Sequence, residues 1–161
     1  MSNGQTIWNY LYYRIGNAYG VAGLMGNLWA ESNYNPNIVQ GDVPITQFSI
    51  DYTAKVDNGT ITREEFYNDT TGGGGYGLAQ WTYWNRKRDL YDMWKSGGYS
   101  SIGSMDLALD YLWWELNNRS EFLHIIPALK TASSIREAAS LVLFDFEKPL
   151  NAGNNITLQS A

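Results

Sequence analysis

The sequence has no cysteine and a single histidine, His124. The first absence excludes disulfide frameworks, thiol nucleophiles and thiolate zinc sites. The second leaves one imidazole for any Ser-His-Asp triad and excludes a site with several histidine ligands, so no metal site is expected. Proline is scarce, at 4 residues, and charged residues make up only 17%. No apolar run approaches the ~18 residues of a membrane span. Met1 to Thr6 is short and polar, without the marks of a secretory signal peptide. Positive charge is also in deficit: 11 Lys and Arg against 16 Asp and Glu leave a net charge of −5. A nucleic-acid-binding surface carries the opposite balance. Neither nucleic acid nor membrane is therefore expected as a partner.

What is present is apolar and aromatic. Hydrophobic residues reach 44% of 161 residues, with 7 Trp, 12 Tyr and 5 Phe. That content argues against disorder, and the length reads as one domain at about 150 residues each. Flat rings with polar edges suit cores, and they suit the faces of sugars equally well.

Apolar periodicity organises the chain. Ile7, Trp8, Leu11, Tyr12 and Ile15 keep helical spacing up to Gly16. A second helix is expected from near Asn17 to Glu31–Ser32, with Val21, Leu24, Met25, Leu28 and Trp29 as its stripe. Gly20, Gly23 and Gly26 lie opposite, and interior glycines cost about 1 kcal/mol each, so they suggest close approach of another backbone. Residues 33 to 77 are irregular, with short helices expected at 46–57 and 62–68 and a mobile loop at Gly72–Gly75. Stretches of that length with little regular structure usually shape a site. Helical spacing returns from about Leu78 to Lys95, then through Met105, Leu109, Leu112 and Leu116. A further helix starts near Ser120 and is expected to bend or break at Pro127. The last opens with Ser134-Ile135-Arg136-Glu137, a capping-box pattern, and buries Ala139, Val142, Leu143 and Phe146. Residues 151 to 161 form a polar tail, read as the start of a linker; residues 1 to 150 form the domain.

Two segments can carry chemistry. Glu31 sits at the edge of an apolar stripe and at the C-terminal end of its helix. The negative end of the helix dipole and the desolvation expected from Leu28 and Trp29 both oppose ionisation. A carboxyl that keeps its proton near neutral pH is what a glycosidase needs as general acid. The second segment is Gly75-Tyr76-Gly77-Leu78-Ala79-Gln80-Trp81-Thr82. Its glycines allow close approach to the backbone, Gln80 both donates and accepts hydrogen bonds, and Tyr76 and Trp81 offer stacking surface.

Ala30-Glu31-Ser32 followed by Gly77-Leu78-Ala79-Gln80 resembles the Glu-Ser and Gly-Leu-Met-Gln motifs of lysozyme-like muramidases and lytic transglycosylases. More closely, the chain resembles the phage tail lysozyme family. The matching pieces are Val21 to Leu28, Ala30-Glu31-Ser32, Asn35-Pro36, Gly75 to Thr82 and Phe146-Glu147-Lys148-Pro149. Two places depart from the wider pattern: the Ala-Tyr-Asn-like turn of transglycosylases has no clear equivalent, and the inner part of the insertion, around Asp42 to Ser49, has no match in it. The resemblance implies a mainly α, lysozyme-like fold, with the irregular insertion between the Glu31 helix and the Gly-Leu-Ala-Gln helix. It implies cleavage of β-1,4 bonds in peptidoglycan glycan strands without a cofactor. Glu31 then takes the general acid role, and Gln80 and Tyr76 position substrate or water; Trp81 and Ser32 beside them are expected to bind substrate.

A second carboxylate depends on mechanism. Inverting hydrolases hold the two carboxyls roughly 6.5–9.5 Å apart and retaining ones about 5–5.5 Å. A lytic transglycosylase needs only one, since the muramyl 6-hydroxyl captures the anomeric carbon. Asp69, just before the glycine run, is the first candidate; Asp57, Asp51 and Glu115 follow. Asn85-Arg86-Lys87-Arg88 reads as a solvated basic face or a contact for peptide-stem carboxylates. Trp84 reads as core and His124 as structural. The expectation is an extracellular or virion-associated enzyme acting on the bacterial wall as part of a longer lysin or tail protein. N-acetylglucosaminidase, lytic transglycosylase and a non-catalytic wall-binding module remain alternatives. Net repulsion from an anionic wall favours targeting by a partner domain or virion.

Overall fold

The structure, a computed structural model, describes residues 1–147. The tail at 151–161 and the Lys148-Pro149 end of the last motif lie outside the described residues. The described chain is mainly α, with eight α-helices among those residues. They are α1 (Asn3–Ile15), α2 (Ala18–Ser32), α3 (Gln47–Asp57), α4 (Arg63–Asn68), α5 (Trp84–Gly97), α6 (Met105–Asn118), α7 (Ile125–Thr131) and α8 (Ile135–Val142). Short 3₁₀ turns occupy Thr71–Gly73 and Ser120–Phe122, and Leu143–Glu147 is a π-helical turn. No described helix is long and apolar enough to cross a membrane.

The chain divides into two compact units. One comprises Met1–Gly4 and Leu28–Trp113, and the other, among the described residues, Gln5–Asn27 and 114–147.

The second unit packs helices through small residues and matching caps. Ile7, Leu11, Ile15, Val21, Leu24, Leu116, Ile125, Leu129, Val142 and Phe146 are buried. A Cβ on Gly20 would strike the Leu129 carbonyl, and one on Gly23 would lie 2.6 Å from the Ala139 nitrogen. Two of the three glycines thus serve close approach, whereas Gly26 faces open space. Asn17 donates to the Leu129 and Ala132 carbonyls, both at 2.9 Å, and Asn27 donates to Ala139 at 3.0 Å. Pro127 lies in the first turn of α7, which begins at Ile125, and does not break it, because there its missing N–H has no intrahelical partner to lose. Ser134 caps α8 by accepting from Glu137 N, but the Glu137 carboxylate reaches Ser133 N at 2.7 Å, one residue earlier than the box pattern predicts. The buried stripe runs through Ala138, Val142 and Phe146, with Ala139 and Leu143 half-buried.

The other unit is built on aromatic packing. Tyr52 on α3, Phe66 on α4, Tyr76 and Tyr91 on α5 form a chain of rings with centroids 5.5 to 6.5 Å apart. Trp81 meets Tyr111 edge-on at 5.0 Å. The helices α3 and α4 fall where expected inside the insertion. Thr62 opens α4 with a complete capping box, its hydroxyl accepting from Glu65 N and the Glu65 carboxylate accepting from Thr62 N.

The expected helix from Leu78 begins only at Trp84. Residues 76 to 81 instead form a tight turn. Tyr76 and Trp81 exchange both backbone hydrogen bonds at 3.0 Å, and Gly77 N bonds the Ile38 carbonyl at 2.9 Å. Leu78 and Ala79 are buried because the turn is sunk in the unit, and this mimics a helical stripe.

Candidate active site

Glu31 lies in the last turn of α2, one residue from its end. The helix stops because Asn33 and Tyr34 both take left-handed backbone, at φ 51° and 66°. Such a conformation strains a tyrosine, and strain of this kind concentrates at functional sites. Ser32 donates its hydroxyl to the Leu28 carbonyl at 2.8 Å, and Asn35 donates to the Ser32 carbonyl at 3.1 Å. Tyr34 packs edge-on to Trp29, centroids 5.0 Å apart, and its carbonyl accepts from Asn3. The Glu31 carboxyl is half-buried and makes no hydrogen bond or ion pair among the described residues. Burial alone pushes its pKa upward.

Asp69 shows the opposite balance. Burial works against its ionisation, but the Thr71 hydroxyl and amide, then Tyr52 and Lys87, outweigh it and hold the pKa below the usual range. The Thr71 amide donates to Asp69 at 2.8 Å. The Tyr52 hydroxyl lies against this carboxylate without a well-formed hydrogen bond. Asp69 ends α4 and starts the glycine run, so its side chain is tied to the loop it precedes.

That loop is pinned rather than loose. Gln40 N donates to the Gly75 carbonyl at 2.8 Å, and Gly75 N donates to the Gln40 side chain at 3.0 Å. A Cβ on Gly75 would sit 2.7 Å from the Gln40 side-chain oxygen and 2.8 Å from that of Gln80, so both glutamine side chains close on this glycine. Gln40 has no place in the sequence reading; a lone glutamine in an irregular stretch gives no periodic signal.

Gln80 is buried with a left-handed backbone, φ 53°. Its amide nitrogen donates to the Gly77 carbonyl at 2.9 Å and to Ile38 at 3.2 Å. Its side-chain oxygen is buried with no hydrogen-bond partner in the structure.

The remaining expected site residues are internal. Tyr76 and Trp81 are 1% and 0% exposed, so neither offers an open ring face. Tyr76 holds the turn from inside, its hydroxyl 2.6 Å from that of Thr53. Ser32 is fully buried. Trp29 at 52%, Trp84 at 54% and Tyr83 are among the exposed rings, which reverses the expected burial of Trp29 and Trp84. Trp84 opens α5, where Arg88 sits over its ring at 4.8 Å and Tyr67 packs beside it. The basic run is also split: Arg86 and Lys87 are buried, and Arg88 pairs with Asp89 at 3.0 Å. Of the other carboxylates, Asp57 accepts from Ser101 and Ile102 and so braces a turn. Asp51 is exposed beside Gln47. Glu115 is fully buried against Arg119 at 2.7 Å. His124 pairs with Asp145 at 2.7 Å. Glu31, Ser32, Asp69, Tyr76, Gln80 and Trp81 all fall within one unit.

Compared with known families, residues 2–160 match the phage tail lysozymes. The chain belongs to the phage tail lysozyme family. Among individual proteins it is similar to Morphogenesis protein 1 of Bacillus phage B103, with 26% identity over 154 residues. The match covers 92% of this chain but 34% of that protein, so this phage tail lysozyme chain spans about a third of its relative's length. No solved structure matches it. A mainly α architecture agrees with the family.

Proposed function

We propose that this chain cleaves the β-1,4 bond between MurNAc and GlcNAc in peptidoglycan glycan strands, with Glu31 as general acid. The observation that carries this reading is the Glu31 carboxyl itself. It is half-buried, has no cation or donor among the described residues, and its protonated form is favoured. An acid in that state donates its proton to the glycosidic oxygen as an oxocarbenium-like centre develops. Asp69, pushed the other way, stays ionised over the same pH range. Asp69 is accordingly the candidate base or charge stabiliser, should a second carboxylate serve the reaction. Gln80, with an unpaired buried acceptor on a strained backbone, is assigned to positioning a substrate donor or water. Tyr76, Trp81 and Ser32 serve the site by holding the turn and the helix end. Family membership and the phage relative support a wall substrate and action outside the host cytoplasm, as part of a virion or lysin.

The test is Glu31→Gln assayed on purified sacculi, with mass spectrometry of the products. A general acid contributes about 10²–10⁴-fold, so the variant should lose at least about 100-fold while remaining folded. Full activity in that variant removes the assignment. The products separate the alternatives: reducing-end MurNAc supports the muramidase reading, reducing-end GlcNAc a glucosaminidase, and 1,6-anhydro-MurNAc a transglycosylase. Wall binding without soluble fragments identifies a non-catalytic module.

A further inference from the structure

A buried acceptor is left unsatisfied beside the glycine loop. Gln80 is 8% exposed, and its amide nitrogen donates to two carbonyls, Gly77 at 2.9 Å and Ile38 at 3.2 Å. Two acceptors on that side fix which end of the carboxamide is which, so the side-chain oxygen faces away from them. There it is buried without a hydrogen-bond partner. A buried acceptor in that state bears the full cost of losing water, and only an arriving donor relieves it.

Gly75 stands against that oxygen. A Cβ on it would lie 2.8 Å from the Gln80 oxygen and 2.7 Å from the Gln40 oxygen, so the residue is wedged against both side chains. Gly74 and Gly75 are buried, whereas Thr71, Gly72 and Gly73 are exposed. The hydrogen bonds inside the run, from Gly73 N to Thr70 and from Gly74 N to Thr71, travel with it. Gln40 holds it from outside. Gln40 N donates to the Gly75 carbonyl at 2.8 Å, and the Gln40 side-chain oxygen accepts from Gly75 N at 3.0 Å. A Cβ on Gly72 would fall 2.5 Å from the Gln40 carbonyl oxygen, and one on Gly73 would fall 2.6 Å from the Gln40 amide nitrogen. One residue therefore backs the whole run. Gln40 is itself exposed, and its side chain makes no other hydrogen bond among the described residues.

We propose that Gln40 is a positioning residue that latches the 72–75 loop shut over Gln80, and that the loop lifts to let an O–H or N–H donor of the glycan strand reach the Gln80 oxygen. The latch stands on the contacts above. The donor that lifts past it rests on the proposed function.

Two measurements test it. The first is amide hydrogen exchange of Gly75, followed by NMR, which reports how often the loop opens. Gln40→Met keeps the length of the side chain and removes the acceptor, leaving a buried N–H unpaired in the closed form. Gly75 should then exchange about tenfold faster. Gln40→Glu keeps an oxygen for Gly75 N and should exchange at close to the native rate. An unchanged rate in Gln40→Met overturns the latch. The second is steady-state cleavage of purified glycan strands. Apparent affinity is reduced by the fraction of protein that is competent to bind. Releasing the latch should therefore lower KM by the same factor as the Gly75 rate rises, with kcat held. A residue that merely supports the fold would do the reverse, raising KM or lowering kcat as the site loosens. A KM unchanged or raised in Gln40→Met overturns the gating. If Gln40→Met does not fold, Gln40→Ala strips the same acceptor and gives the same pair of readings. Glu31→Gln assayed in parallel keeps the claims apart: full activity there removes the proposed acid and leaves the KM comparison standing. Absence of cleavage by the native chain refutes the proposed function and the gating with it, while the Gly75 rates still decide the latch.

Discussion

At Glu31 the side chain gives up water and receives no cation or donor in return, so folding disfavours its charged form. Its pKa is higher folded than unfolded. The group therefore favours the fold at low pH and loses that contribution as pH rises through the folded value. Glu31→Gln should leave Tm near native at about pH 4 and raise it at about pH 8, measured by calorimetry at both values. Asp42 illustrates the opposite sign. Its carboxylate accepts from the hydroxyls of Ser49 and Thr46, both at 2.6 Å, and from their amides. These bonds pull its pKa down to about 2. The stability they confer is present above the ordinary value of 3.8 and is lost as pH falls toward 2. Asp42→Asn should lower Tm at pH 7, and the difference from native should shrink as acid titrations pass through that window. Lys87 is a third case, with its folded pKa depressed. Exchanging a poorly compensated buried charge for an apolar side chain is often neutral or stabilising, by about 1–4 kcal/mol.

Among elements, α2 shows how one helix answers two demands. Its glycine face admits the carbonyl of Leu129 and the backbone at Ala138–Ala139, while its C-terminal turn presents Glu31. Gly23→Ala should be strongly destabilising, since the new Cβ meets Ala138 and Ala139 directly. Gly26→Ala, on the same helix with nothing within 4 Å, should stabilise by about 0.5–1 kcal/mol from backbone entropy. The pair is compared by urea denaturation, and two changes of the same sign would contradict the packing described for α2. The capping box of α4 anchors the insertion next to Asp69. Thr62→Ala should cost about 1 kcal/mol by the same measurement.

For the molecule as a whole the governing quantity is charge. A net charge of −5 and a pI of about 4.7 oppose approach to an anionic wall. The Debye length shrinks from about 30 Å at 0.01 M salt to about 8 Å at 0.15 M. Under the proposed function, turnover of intact sacculi should rise over that range. Turnover of a short, uncharged chitooligosaccharide should not, and equal salt responses for the two would argue against repulsion as the limit.

Helix existence, the position of Glu31 and the order of the motifs were legible in the sequence, because helical spacing and chain punctuation are local properties. Both short helices of the insertion were legible for the same reason: Thr46 and Thr62 cap them from the adjacent residue. Only the tertiary structure decided which apolar and charged residues face inward. Leu78 and Ala79 have helical spacing but are buried in a turn closed by Tyr76 and Trp81. Trp29 and Trp84 have the spacing of core residues but lie exposed, while Lys87 sits inside its basic run's expected solvent face. The physical reason is that periodicity fixes a face of a helix, whereas burial depends on what packs against that face. Gln40 grips Gly75 across 35 residues of chain, and a contact so distant leaves no trace in either local pattern.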